Sequence, residues 1–148
     1  MLQALNTYDL QNINYLYNSQ WESGLSTSIR TGVAHLLNSC PDITHMMITL
    51  ADLPCVDEDS LGRLVEHSKL NKDAIVCSEF TNQRGVPAIF PVHYANALCN
   101  LTGDKGAKSI IASESAQKDR VIGVEHIEAG IDIDRPDDWE RYRAHSST

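Results

Sequence analysis

His45-Met-Met-Ile-Thr-Leu-Ala51 is almost unbroken in its apolar character, and Asp52-Leu-Pro54 follows it directly. A run of that length and composition suits a strand covered on both faces, as in parallel sheets whose crossover helices lie above and below. An acid just past such a strand stands at its C-terminal end, where α/β folds bind their ligands. Pro54 sharpens the turn. Asp52 then has two readings. It can hold a divalent cation against a polyphosphate, since Mg²⁺ prefers one or two carboxylates plus phosphate oxygens. It can equally cap the helix or turn that follows.

Outward from this strand, helical and extended patterns alternate. Upstream, Tyr15-Leu-Tyr17 reads as the end of a strand stopping at Asn18. Leu25, Ile29, Val33, Leu36 and Leu37 then form a helical stripe, with Ser23 or Ser26 as its cap and Pro41-Asp42 closing the segment. Downstream, Leu61, Leu64, Val65 and Leu70 define a helix from Asp57, with acids at its start where the helix dipole favours them. Ala74–Cys77 and Val86–Phe90 read as further strands, Tyr94–Leu98 and Lys105–Ile111 as short helices, and Val121–Val124 as a last strand. Pro136 suits the first turn of a final helix bearing Trp139 and Tyr142. This order predicts an α/β sandwich with a largely parallel sheet.

Composition narrows the partners. The 148 residues carry 20 acidic against 12 basic side chains, a formal charge of −8. Such a surface repels a phosphate backbone, which argues against nucleic-acid binding. An anionic ligand would need a local remedy: a helix N-terminus, a divalent cation or a few placed cations. The four cysteines form no CxxC pair and no zinc-site spacing with histidine. Residues 1–16 lack the pattern of a signal peptide, and no window is apolar enough for a membrane span, so a reduced, cytoplasmic protein is expected.

Four further segments carry candidate chemistry, each with a plainer alternative. Asp132 and Asp134 follow the last strand; their spacing turns one toward a site if the stretch is extended, and Asp134 can instead cap the final helix. Gly103-Asp-Lys-Gly-Ala-Lys108 is placed at a helix start, where N–H groups with Lys105 or Lys108 could accept phosphate, or it is a solvated loop. In Arg84-Gly-Val-Pro87 the bare Gly85 would let a ligand approach the backbone, or the stretch is a hairpin turn. Ser26 and Ser28 read, by themselves, as a capping cluster at a helix start. No G-x-S-x-G elbow supports acyl-hydrolase chemistry.

Taken in order, Asn18-Ser-Gln-Trp-Glu-Ser-Gly-Leu-Ser-Thr-Ser28, Ala51-Asp-Leu-Pro54, Arg84-Gly-Val-Pro87, Gly103–Lys108 and Asp132-Ile-Asp-Arg-Pro136 resemble the motif series of the MobA-like nucleotidyltransferases, most closely the MocA branch. The resemblance implies a Rossmann-like three-layer sandwich of the nucleotide-diphospho-sugar transferase type. It implies transfer of CMP, or another NMP, from CTP or another NTP to a molybdopterin-type phosphate, with release of pyrophosphate. Asp52 and Asp134 would be the catalytic ligands of Mg²⁺. Ser26 and Ser28 would border the nucleotide. Arg84, Gly85, Pro87, Gly103, Asp104, Lys105 and Lys108 would shape the acceptor side. Leu53 and Arg135 stand where the family often has Gln and Thr.

The family opens on a strand and a glycine-rich L-A-A-G-x-S-x-R-x-G loop that wraps the nucleotide's phosphates. Here the first glycine is Gly24, and residues 1–24 contain no Lys or Arg. The expectation is a single, incomplete domain over residues 1–148, truncated at its N-terminus by a βαβ unit. The strand at His45–Ala51 would then have an open edge, inviting self-association. A non-catalytic remnant or binding module of the same fold is the alternative function.

Overall fold

The structure is a computed structural model and describes residues 13–131 and 138–139. Its elements, in chain order, are α1 (Leu25–Ser39), β1 (His45–Ile48), α2 (Glu58–Leu70), β2 (Ile75–Phe80), β3 (Gln83–Pro91), α3 (Ala95–Cys99), α4 (Lys108–Glu114) and β4 (Val121–Glu125). Short 3₁₀ turns occupy Trp21–Ser23, Val92–Tyr94 and Ile127–Gly130.

The four strands form one open sheet in the order β1-β3-β2-β4. β2 and β4 are parallel, with Ile75 opposite Val121 and Glu79 opposite Glu125. β3 runs antiparallel to both its neighbours, pairing Phe80 with Gln83 on one side and His45 with Pro91 on the other. β1, β2 and β4 therefore point one way, while β3 is inserted against them, so the sheet is mixed: β2·β4 is parallel and the other two pairings are antiparallel. The reason is a two-residue hairpin between β2 and β3. Thr81 and Asn82 have φ of 49° and 59°, the left-handed conformation whose twist matches paired antiparallel strands. Arg84–Pro87 lies within β3 rather than in that turn, and the register shifts there: Cys77 pairs with Ala88 but Ser78 with Gly85, so Val86 and Pro87 form a bulge in β3.

Helices cover both faces of the sheet, giving three layers. On one face Val33 of α1, Leu98 of α3 and Ile111 of α4 pack with Ile75, Cys77, Phe90 and Val121. On the other, Leu64 of α2 packs with Val76, Ile89 and Val124. Alternate residues of β2 enter opposite cores, and Ile75, Val76 and Cys77 are fully buried. Burial pushes the Cys77 thiol up to about 11. All four cysteines are free.

Three local expectations are corrected. Tyr15–Tyr17 forms no strand, and all three residues are exposed. The apolar run at residues 45–51 yields a strand of only four residues, in which Met46 alone is buried. Among the described residues β1 pairs on one side only, so half of its surface lacks a covering strand. Neither Ser23 nor Ser26 caps α1. Its N-cap is Gly24 at φ 103°, a conformation suited to glycine, and the Ser26 N–H donates instead to the Gly103 carbonyl at 3.1 Å. Of the final helix, Asp138 and Trp139 are helical; Pro136 and Tyr142 lie outside the described residues.

The start of α2 is closed by a reciprocal cap. The Ser60 N–H donates to Asp57 Oδ1 and the Asp57 N–H to Ser60 Oγ, both at 2.9 Å. The backbone and hydroxyl of Ser60 hold the Asp57 carboxyl below its ordinary value of 3.8. A depressed carboxylate stabilises the fold above its unfolded pKa, and that contribution fades as pH falls through the folded value. Asp57→Asn keeps a good capping oxygen without a titrating charge. Its thermal stability is therefore expected to fall less steeply than wild type below pH 3.8, as measured by melting temperature across an acid series.

Beneath β2 lies a fully buried polar pair. Ser78 Oγ is 2.8 Å from the Pro87 carbonyl and 2.7 Å from His126 Nδ1. Serine has one proton, and the carbonyl can only accept. Ser78 therefore donates to Pro87 and accepts from His126, which carries its proton on Nδ1. Ser78→Ala strips partners from two buried groups and is expected to cost about 2 kcal/mol, read from urea denaturation.

Candidate functional site

A cleft of about 790 Å³ opens over the C-terminal ends of β1 and β2, between α1, β3 and the 104–108 loop. Ser28, Asp52, Gly85, Asp104 and Lys108 all line it. These residues lie far apart in sequence, and the topology brings them to one opening. Ser26, Arg84, Pro87, Gly103 and Lys105 are not among the lining residues. Asp132 and Asp134 lie outside the described residues.

Asp52 sits in the turn after β1, with Thr49, Leu50 and Ala51 between it and the strand. Because Asp57 caps the following helix, Asp52 is not that cap. It is exposed, and among the described residues it takes part in no hydrogen bond or ion pair. A carboxylate left free at a cleft can accept a divalent cation whose remaining ligands are water and phosphate oxygens. Asp104 is a second acid at the same opening. Among the described residues no group of three side chains forms a ready-made metal cage. That donor set suits a cation carried in with a polyphosphate better than a structural ion.

Ser28 projects from the first turns of α1, and its hydroxyl accepts a 3.0 Å hydrogen bond from Asn18 Nδ2, which also donates to Thr27 Oγ1 at 2.8 Å. Asn18 thus fixes the hydroxyl's orientation. Ser26, two residues back, is buried, and among the described residues its Oγ has no hydrogen-bond partner. Lys108 Nζ donates to Gln83 Oε1 at 3.0 Å, so a β3 side chain holds the cleft's lysine in place.

Gly85 is buried at the cleft floor; a Cβ there would meet the Phe80 ring at 3.6 Å, an ordinary contact. Arg84 Nε donates to Glu79 at 2.9 Å, with both side chains about 40% exposed, so the pair is a weak, screened one. Pro87 is fully buried, its carbonyl engaged by Ser78. Lys105 is exposed on the loop. α4 begins only at Lys108, later than predicted, and its Ser109 and Ile110 N–H groups already bond the Gly106 and Ala107 carbonyls.

The roles of Asn18 and Gln83 emerge only in the fold. Asn18 opens the first motif and Gln83 follows the hairpin turn, but each acts through another side chain. No local pattern marks such a role.

The geometry can be set beside known proteins. No curated protein sequence matches the chain significantly. Among solved structures it is similar to the Rv0371c homologue of Mycobacterium sp. strain JC1, with TM-score 0.63 and 24% identity over 80% of this chain and 56% of that one. It is similar also to Rv0371c of Mycobacterium tuberculosis H37Rv, with TM-score 0.61 and 23% identity over 79% and 58%. The same mycobacterial protein, solved as a complex with manganese, aligns at TM-score 0.61 and 25% identity over 77% and 57%. This chain thus spans less than two thirds of the length of those proteins, and the likeness is one of fold alone, a Rossmann-like α/β sandwich. The sequence pattern of the MobA-like NTP transferase domain matches residues 2–121, reaching from before Asn18 through Lys108 to the start of β4. With that pattern laid over most of the sequence and the fold agreeing, the chain belongs to the MobA-like NTP transferase family.

Proposed function

We propose that the cleft is the site of a nucleotidyltransferase that moves CMP, or another NMP, from an NTP to a molybdopterin-type phosphate. The observation that carries this reading is Asp52: a strand-end carboxylate, uncommitted to any cap, on the same cleft as Ser28 and Lys108. An oxygen of the acceptor phosphate bonds to the α-phosphorus. The bridging bond from that phosphorus to the β-phosphate breaks, and its electron pair leaves with pyrophosphate. Such transfers need alignment and charge neutralisation more than covalent participation by the protein.

Asp52, with Asp134, would hold a divalent ion, Mg²⁺ in this reading; manganese is found in the mycobacterial neighbour. Bound there, the ion would neutralise charge on the phosphate oxygens. Ser28, oriented by Asn18, borders the nucleotide. Gly85, Asp104 and Lys108 face the acceptor, with Lys108 held forward by Gln83. Arg84, Gly103 and Lys105 support that wall from outside the lining.

One observation favours a second reading, a binding module without turnover. Among the described lining residues Lys108 is the sole cation against Asp52 and Asp104, leaving a triphosphate short of positive partners. Calorimetry of CTP with Mg²⁺, alongside Asp52→Ala, separates the cases. Binding lost in the variant, together with pyrophosphate release from wild type, supports the enzyme. Asp52-dependent binding without turnover supports the module. Absence of binding by a folded sample sinks both.

Self-association through the β1 edge belongs to the same proposal. The β1 edge that is unpaired among the described residues, with partly buried Met47 and Ile48 beside it, forms a surface on which another strand could pair. Sedimentation velocity is expected to show mass rising with concentration; a monomer at every concentration removes the idea.

A further inference from the structure

The 102–107 loop forms one rim of the cleft, yet its residues 102–105 are exposed and make few bonds of their own. Something else fixes it. Gly103 is packed against Gly24 so closely that a Cβ on Gly24 would lie 2.4 Å from the Gly103 carbonyl carbon and oxygen. That carbonyl also accepts from the Ser26 N–H at 3.1 Å. Both contacts come from the start of α1, and the loop reaches them only if its stem leaves α3 in the right direction.

The stem is held by Arg30. From the second turn of α1 its Nε donates to the Cys99 carbonyl at 3.1 Å and its Nη2 to the Leu101 carbonyl at 3.2 Å. Cys99 ends α3, so its carbonyl is among those a helix leaves unpaired at its C-terminus, where a cation is also favoured by the dipole. A planar guanidinium can bridge two carbonyls with defined geometry; an ammonium cannot.

We propose that Arg30 is a positioning residue for the cleft: by bridging the Cys99 and Leu101 carbonyls it fixes the stem of the 102–107 loop against α1 and thereby sets where Asp104 and Lys108 stand. Its functional half rests on the reading of the cleft as a nucleotidyltransferase site; its structural half does not. Ser28 and the loop are then carried by one helix, so the two sides of the cleft keep a common frame.

The test uses amide exchange by NMR on wild type, Arg30→Met and Arg30→Lys, with trypsin as a second probe. The Ser26 amide, which donates to the loop, is expected to exchange about tenfold faster in Arg30→Met, with tryptic cleavage after Lys105 accelerating in step, while the amides of β2 keep their rates. Arg30→Lys, which keeps the charge but loses the fork, should fall between. It carries the test alone if Arg30→Met does not fold.

In turnover with CTP and a molybdopterin-type acceptor, the acceptor KM is expected to rise severalfold with the CTP Kd unchanged. Unaltered Ser26 exchange, or Ser26 and β2 accelerating together, overturns the proposal. So does a freed loop with unchanged acceptor KM. If wild type binds no nucleotide while Ser26 is selectively freed, the nucleotidyltransferase reading fails and the structural clasp is upheld.

Discussion

On the proposed function, Asp52→Ala is expected to lower nucleotidyl transfer by at least about a hundredfold, because a carboxylate that held a charge-neutralising cation would act on the transition state as well as on binding. Stability should hardly change. The side chain is exposed and engages no other described group, and surface substitutions of that kind stay within about 0.5 kcal/mol. The pairing of a large activity loss with an unmoved melting temperature is the signature to seek, using pyrophosphate release and calorimetric melting on the same samples. A fall in melting temperature comparable to the activity loss would return Asp52 to a structural role. Asp52→Asn sharpens the result. It keeps the shape and any local hydrogen bonding but removes the charge, so it should be nearly as inactive as alanine if cation binding is the task.

The second large effect is one of architecture. Gly24→Ala is expected to destabilise the fold by about 3–4 kcal/mol, since it adds a Cβ at a φ only glycine adopts readily and drives it into backbone. The φ is 103°, and the atoms met at 2.4 Å belong to the Gly103 peptide, which cannot swing aside as a flexible side chain could. For a chain of this size the melting temperature should fall by about 10 °C. Gly32→Ala is the control. It sits on the same helix, with nothing within 4 Å of its Cβ, and should be neutral or mildly stabilising through helix propensity. Equal melting temperatures for the two variants would refute the close packing of α1 on the loop.

Much of the fold is legible in the sequence where burial imposes a period. The stripe Leu25, Ile29, Val33, Leu36 and Leu37 defines α1, and its observed bounds differ little from those the pattern predicts. The first half of β2 is recognisable from Ala74–Cys77, because burial on both faces leaves that stretch without a polar residue, whereas Ser78 and Glu79, which continue the strand, do not read as part of it. The direction of β3 is not legible. Its hairpin turn, Thr81-Asn82, contains no glycine, and a β-branched residue at positive φ is a poor advertisement for a tight turn. Gly85 and Pro87 add to the disguise, since both usually interrupt a strand, whereas here β3 bulges between Gly85 and Ala88 and leaves Val86 and Pro87 without partners on β2.

The candidate site divides similarly. Asp52 is visible because an apolar strand points to it. The deciding fact, that Asp57 and Ser60 already cap α2, depends on which of four nearby acids faces the helix start. The capping role expected of Ser23 or Ser26 fails because Gly103, some 80 residues away in the chain, supplies the acceptor. Contacts of that separation leave no periodic trace. Arg30, Asn18 and Gln83 escape notice for the same reason: each is an ordinary polar residue until the fold brings its partner near.

Both tryptophans lie outside the core, Trp21 65% exposed in the turn before α1 and Trp139 46% exposed. The protein's intrinsic emission is therefore already that of indole in contact with water, and collapse of the sheet would alter it little. Fluorescence is a poor thermometer of the native state here, and circular dichroism should follow unfolding instead. Trp21 stands three residues from Gly24, beside the contact between α1 and the cleft loop. A quencher titration therefore reports on both surface tryptophans with little background from the interior, and Trp139→Phe would leave Trp21, and with it the turn before α1, as the reporter.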